Sequence, residues 1–166
     1  GEDFQMFEKD LPGKNTTGFG TPEDQIGSLP LEVCETINGS WGFNLQDRKH
    51  KSNKKLIHYL IRAAGYGSNL LLNVGPMPNG KIQSEHKASL KAIGKWLGKN
   101  GNTIYETRKG PFTPNENFVS TQKGNIIYLH VLNPELKILQ MNKLPSQVKS
   151  VKIFNSSKKV FSKTFI

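Results

Sequence analysis

The chain has 166 residues, with 23 Lys plus Arg against 13 Asp plus Glu, and so a net charge of +10. A 35% hydrophobic content and a single Cys exclude a disordered polyelectrolyte, an internal disulfide framework and a multi-cysteine metal site. No apolar run reaches the length of about 18 residues that a membrane helix needs, and no secretory signal pattern opens the chain.

Taken in order, Asp3-Phe4-Gln5-Met6-Phe7-Glu8 reads as a short buried strand that ends in a carboxylate. Leu11 to Gly27 holds two Pro and four Gly among Asn and Thr, which is loop chemistry with a turn at Pro12-Gly13. Leu29 to Thr36 fits a second short strand or a turn. Asn38 to Phe43 is a glycine-flanked segment carrying Trp41 and Phe43. Ser52 offers an N-cap. Leu56, Ile57, Leu60, Ile61 and Ala64 then fall on one helical face, and Gly65 and Gly67 stop that helix. Asn69 to Val74 is a strand apolar on both faces, the signature of the middle of a parallel sheet. A loop at Gly75-Pro76-Met77-Pro78-Asn79-Gly80 follows. Ser84 is the expected cap of a second helix with Leu90, Ile93, Gly94 and Leu97 on its buried face, ended by Asn100-Gly101.

Helix and strand alternate up to Thr107, so this part is α/β with parallel strands. Pro111 and Pro114 mark a linker. Beyond it, Asn125 to Leu132, Val148 to Phe154 and Val160 to Ile166 read as short antiparallel strands. The expected division is 1–110 and 111–166. The first part has too few strands to close a barrel, and the second ends inside a strand. With Gly1 rather than Met at the start, the expectation is a piece of a longer enzyme.

The charge is densest at Arg48, Lys49, His50, Lys51, Lys54 and Lys55. This run adjoins an amphipathic helix and is not interleaved with aromatics, so it reads as a solvated face rather than a nucleic-acid surface. His50, His58, His86 and His130 lack metal-ligand spacing, so no metal or other cofactor is expected. Cys34 reads as a small buried hydrophobe. Asn15-Thr16-Thr17, Asn38-Gly39-Ser40 and Asn155-Ser156-Ser157 match the N-glycosylation pattern.

Three segments go further. Gly39-Ser40-Trp41-Gly42-Phe43-Asn44 is one, and the run from Asn69 to Ile82 is the second. The third is Ile93-Gly94-Lys95-Trp96-Leu97 with Asn100-Gly101 and Thr103-Ile104-Tyr105. In order and spacing they resemble the glycoside hydrolase family 29 α-L-fucosidases. The resemblance covers residues 1 to about 108, and the tail fits only by position and pattern. It implies the C-terminal part of a (β/α)8-type barrel followed by an antiparallel β-sandwich. The implied activity is retaining exo-hydrolysis of terminal α-L-fucose from glycans. Such enzymes hold a nucleophile and an acid/base about 5–5.5 Å apart. In the family the nucleophile is an Asp on an earlier barrel strand, so the implied partner is the missing N-terminal half of the barrel. Fucosylated glycans as substrates imply a periplasmic or secreted setting, lysosomal in a eukaryote, with no role for nucleic acid or membrane.

The family's acid/base follows a strand of the form Gly-Asp-aromatic-x-x-x-Glu. Asp3-Phe4-Gln5-Met6-Phe7-Glu8 fits, which makes Glu8 the candidate. The bland reading is a surface Glu paired with Lys9. Glu23, in the loop Gly20-Thr21-Pro22-Glu23, is the rival. Strand ends position a proton donor better than loops. Trp41 is the expected sugar contact, an apolar wall for the C5-methyl of fucose, against the simpler reading of a barrel plug. Asn73, at the end of its strand, either faces the barrel mouth or tethers the next loop, and tethering is expected, since buried amides find partners. Glu32 and Glu35 are expected to serve loop backbone groups. The alternative function is a non-catalytic basic module for glycans or nucleic acid.

Overall fold

A computed structural model describes residues 3–18, 20, 22–142, 144 and 147–160. The chain divides into two compact units, Gly1–Pro134 and Glu135–Ile166. The first unit thus runs across residue 110 and ends at Pro134.

Its α/β half comprises β1 (Gln5–Glu8), β2 (Leu31–Thr36), α1 (Asn53–Gly65), β3 (Ser68–Asn73) and α2 (Ser84–Asn100). The three strands form one parallel sheet in the order β1-β2-β3. Glu8 is in register with Cys34 and Cys34 with Leu71, while Thr36 pairs with Asn73 two residues further on. Side chains alternate across a strand, so Phe7, Val33 and Leu70 share one face and Glu8, Cys34 and Asn73 the other. The first face makes the core. Phe7, Val33 and Ala63 of α1 are buried together, with Leu11, Ile26, Leu31, Tyr59 and Leu70 packed around them. Full burial of a side chain such as Phe7 contributes about 2–3 kcal/mol.

β2, not β3, is the middle strand. β3 is an edge strand among the described residues, and its Leu71 is 44% exposed. Apolar side chains on both faces mark β3 for cover; the Leu70 face packs on the core, and the Leu71 face is not covered by the described residues. α1 begins where expected. The Ser52 hydroxyl accepts the Lys55 N–H at 3.2 Å, and the helix closes at Gly65. α2 differs from expectation in two ways. Gln83 is its N-cap and Ser84 already lies inside it, its hydroxyl turned to Glu85. The buried positions are His86 and Ser89, while Leu90 is 37% exposed and Gly94 is exposed.

The second sheet is antiparallel, in the order β4 (Arg108–Lys109), β5 (Phe118–Lys123), β6 (Ile126–Val131). β6 lies within the expected Asn125–Leu132 run. β4 and β5 were not expected. This sheet packs on α1 through a core of Ile61, Val119 and Leu132 with Ile57, Trp96 and Ile104. The approach is so close that a Cβ at Gly65 would lie 1.9 Å from a Val119 methyl. Glycine here serves the contact between helix and strand.

The described residues of 135–160 form neither helix nor strand. The strand expected at Val148–Phe154 is therefore absent: its alternating pattern has no hydrogen-bonding partner strand among the described residues. Of the expected Val160–Ile166 strand, residues 161–166 lie outside the described residues.

Candidate active site

The C-terminal ends of the three parallel strands face the same way, and the chain leaves them into loops that gather the polar side chains. Glu8 is the last residue of β1 and half-buried. Trp41 stands in the loop after β2, and its indole Nε1–H donates to Glu8 Oε1 at 3.0 Å. The two residues singled out from sequence are thus in direct contact across 33 positions. Glu23, the rival, opens a short 3-10 turn at Glu23–Gln25 and is exposed. It packs beside the Pro12-Gly13 turn, where a Cβ on Gly13 would sit 3.3 Å from Glu23 Cβ.

The contact has a chemical consequence. An indole N–H only donates, and the carbonyl-type oxygen of a carboxyl is its better acceptor, so the contact favours Oε1 in that role. When the Glu8 carboxyl carries a proton, that proton belongs on Oε2. The arrangement orients one oxygen and leaves the other for proton transfer.

Several groups hold the Trp41 loop in place. Asn73 Nδ2, at the end of β3, donates to the Trp41 carbonyl at 2.6 Å, so the expected tether reaches the loop after β2 rather than its own. Asp47 Oδ2 accepts the Gly39 N–H at 2.8 Å and the Ser40 hydroxyl at 2.9 Å. The Ser40 hydroxyl does most to hold the Asp47 carboxyl below its ordinary 3.8; burial opposes this, and the Gly39 and Ser40 N–H groups add to it. Gly75 lets the next loop pack directly on this one, since a Cβ there would lie 2.4 Å from the Gly42 carbonyl carbon. Sequence reasoning did not single out Asp47. Its signal, a lone Asp in a cationic loop, is visible only once the loop closes on itself.

Lys51 departs from its neighbours in the charge run. Its ammonium is drawn in to Glu35 at 3.2 Å and donates to the Thr36 and Asn38 carbonyls at 2.8 Å each. The run is therefore not a continuous solvated face. Glu35, 6% exposed, also accepts the Thr36 N–H at 2.7 Å, so the backbone group it serves lies at the end of β2 rather than in a loop. Asn38 is 3% exposed, so its glycosylation pattern is closed to modification in the fold. Cys34 is half-buried, and burial followed by the Glu8 carboxylate pushes its thiol above 9.0. A thiol shifted in this direction is a poorer nucleophile. Among the described residues no three His, Cys, Asp or Glu side chains are grouped to hold a metal ion, and no helix is long and apolar enough to cross a membrane.

Beyond β1, Asp10 anchors the loop that carries Asn15. It is 3% exposed and accepts N–H groups from Thr16 at 3.0 Å and Thr17 at 2.9 Å, with both threonine hydroxyls. Burial alone would raise its carboxyl, but the hydrogen bonds from Thr16 and Thr17 outweigh it and leave the group below 3.8. A depressed folded-state value means stability that is present above the unfolded value and lost as pH falls through the folded one. Asp10→Asn should cost about 1–3 kcal/mol near neutral pH. It should also remove part of the acid sensitivity below pH 3.8, as read by urea unfolding at stepped pH.

The model of the alpha-L-fucosidase family matches residues 1–102. The chain belongs to the α-L-fucosidase family. It is 33% identical to human tissue α-L-fucosidase over 138 residues, which are 75% of this chain and 29% of that protein. The bovine tissue enzyme is 34% identical over 115 residues, 66% of this chain and 25% of the relative. Among solved structures, α-L-fucosidase isoenzyme 1 from Paenibacillus thiaminolyticus superposes with a TM-score of 0.70 at 34% identity. That match covers 81% of this chain and 31% of the other. The family member described here therefore spans between a quarter and a third of these relatives. The match on 1–102 takes in Glu8, Trp41 and Asn73 together.

Proposed function

We propose that this chain is the acid/base-bearing portion of a retaining exo-α-L-fucosidase. The single observation that carries the reading is the Trp41 indole N–H on Glu8 Oε1 at 3.0 Å, at the C-terminal edge of a parallel sheet in a fucosidase-family chain. Glu8 is preferred to Glu23 because a strand end and an aromatic hold it, whereas Glu23 opens an exposed turn. In this reading the parallel sheet is the C-terminal part of a (β/α)8-type barrel, and the antiparallel sheet β4-β5-β6 is the start of a β-sandwich. Solved fucosidase structures that match this chain support that assignment.

In the first step Glu8 Oε2 gives its proton to the glycosidic oxygen. The C1–oxygen bond breaks as an Asp outside this chain attacks C1 and forms a glycosyl-enzyme. Glu8, now a carboxylate, takes a proton from water as that water attacks C1 and frees the Asp. The ring of Trp41, 37% exposed, offers its apolar surface to the C5-methyl of fucose. The substrates are fucosylated glycans and the structural partner is the N-terminal half of the barrel. A plasma α-L-fucosidase among the relatives supports a secreted setting.

The test is complementation. This chain alone should release no fucose from 4-nitrophenyl α-L-fucoside. Set in place of the corresponding segment of the Paenibacillus thiaminolyticus enzyme, it should restore hydrolysis, with α-L-fucose as the first-formed anomer. A folded chimera with no activity, beside an active parent, overturns the reading.

A further inference from the structure

Lys9 follows the proposed proton donor and is one of only a few described non-glycine residues with positive φ, at 58°. A left-handed lysine persists only where its surroundings impose it, and such residues gather at functional sites. Here both sides of the backbone are held. The Lys9 N–H donates to the Cys34 carbonyl at 2.9 Å, and its carbonyl accepts the Tyr59 hydroxyl at 3.0 Å. The ammonium is brought over the Trp41 ring, 5.1 Å from its centroid, and lies 3.4 Å from the Gly39 carbonyl. Among the described residues no ion pair joins Lys9 to Glu8. The neighbourly pairing of the bland reading gives way to a contact with the aromatic.

The Trp41 ring is therefore held at two places besides its backbone. Its N–H edge meets Glu8, and one face meets the Lys9 cation. A cation over an indole face is attracted by the ring's negative π-surface, and it covers the face it occupies. We propose that Lys9 is a positioning residue that clamps the Trp41 ring. The clamp keeps the indole N–H on Glu8 Oε1 and leaves only the opposite ring face for the sugar. The inference rests on Glu8 being the acid/base. It adds that the orientation of the donor is set through the aromatic by a cation. Without the cation the ring turns more freely, Oε1 loses its donor for part of the time, and Oε2 is no longer held toward the leaving oxygen.

The experiment uses Lys9→Met, which keeps the stem and removes the charge, and Lys9→Arg, which keeps a cation that stacks on indole. In the complemented enzyme, Lys9→Met should lower kcat/KM for an alkyl fucoside about fivefold more than for 4-nitrophenyl fucoside. Lys9→Arg should bring that ratio back to within about twofold of the parent. A residue that merely supports the fold would lower both substrates together, and equal losses overturn the proposal. So does a Met variant with the parent's ratio, or an Arg variant that fails to restore it. The second readout needs no activity. In the 166-residue chain, the indole N–H resonance of Trp41, assigned with Trp41→Phe, should move in Lys9→Met and return in Lys9→Arg. An unmoved resonance overturns the clamp. If the complemented parent is inactive, or Glu8→Gln leaves the substrate ratio unchanged, the functional reading fails instead, and the resonance alone decides the clamp.

Discussion

Glu8→Gln in the complemented enzyme is expected to slow hydrolysis of an alkyl fucoside by about 10²–10⁴-fold, the usual contribution of a general acid. The formation of the glycosyl-enzyme from 4-nitrophenyl fucoside should change little, because that leaving group departs without a proton. Glutamine is chosen because its amide oxygen still accepts the Trp41 N–H that Oε1 accepts now. The pocket thus keeps its shape while the transferable proton is lost. Breakdown of the intermediate also suffers, since water needs a base. Azide, which carries no proton to remove, should therefore restore turnover of the activated substrate and give fucosyl azide. Burst kinetics with the two leaving groups read the difference. If both substrates react at parental rates, Glu8 is not the acid/base and Glu23 becomes the residue to replace.

The largest effect on stability is expected at Lys51. Its ammonium pairs with Glu35 at 3.2 Å, and the two side chains are 18% and 8% exposed. Lys51→Met strands a carboxylate against the core and takes the ammonium from the Thr36 and Asn38 carbonyls, of which Asn38 keeps the Thr36 hydroxyl. Breaking a buried pair from one side costs about 3–5 kcal/mol. The double replacement Lys51→Met with Glu35→Met removes both charges and should recover most of that loss. Urea unfolding of the single and double variants checks this through the midpoint at constant slope. A single variant within about 1 kcal/mol of the parent, the range of an exposed pair, would show that water reaches the pair. The position matters for the site as well. Lys51 grips the end of β2, where the loop carrying Trp41 begins.

Local elements were largely readable. The Ser52 cap and the spacing of Leu56, Leu60 and Ile61 mark α1, because a hydroxyl and a 3.6-residue period are both local signals. β6 carried its own signal in Ile126, Ile127 and Val131. β5 did not. Its buried Ser120 and Thr121 read as polar, and they are buried because their hydroxyls meet Phe112 and the Thr103 carbonyl. Those partners are named by the fold alone. Val148–Phe154 failed in the opposite sense. It has the alternation of a strand, but alternation is only half of a strand, and no strand among the described residues pairs with it.

The order of motifs, the strand ending in Glu8 and the aromatic at Trp41 are properties of the linear chain, and they sufficed to indicate the family. Backbone propensity and side-chain period act over a few residues, so they survive without a third dimension. That Glu8 and Trp41 touch, that Lys9 lies over the indole, and that Lys51 leaves its cationic neighbours for Glu35 were decided by the tertiary structure. Each is a contact between residues brought together by parallel strand pairing or loop closure. Its energy depends on distance and desolvation, which a string of residues does not contain.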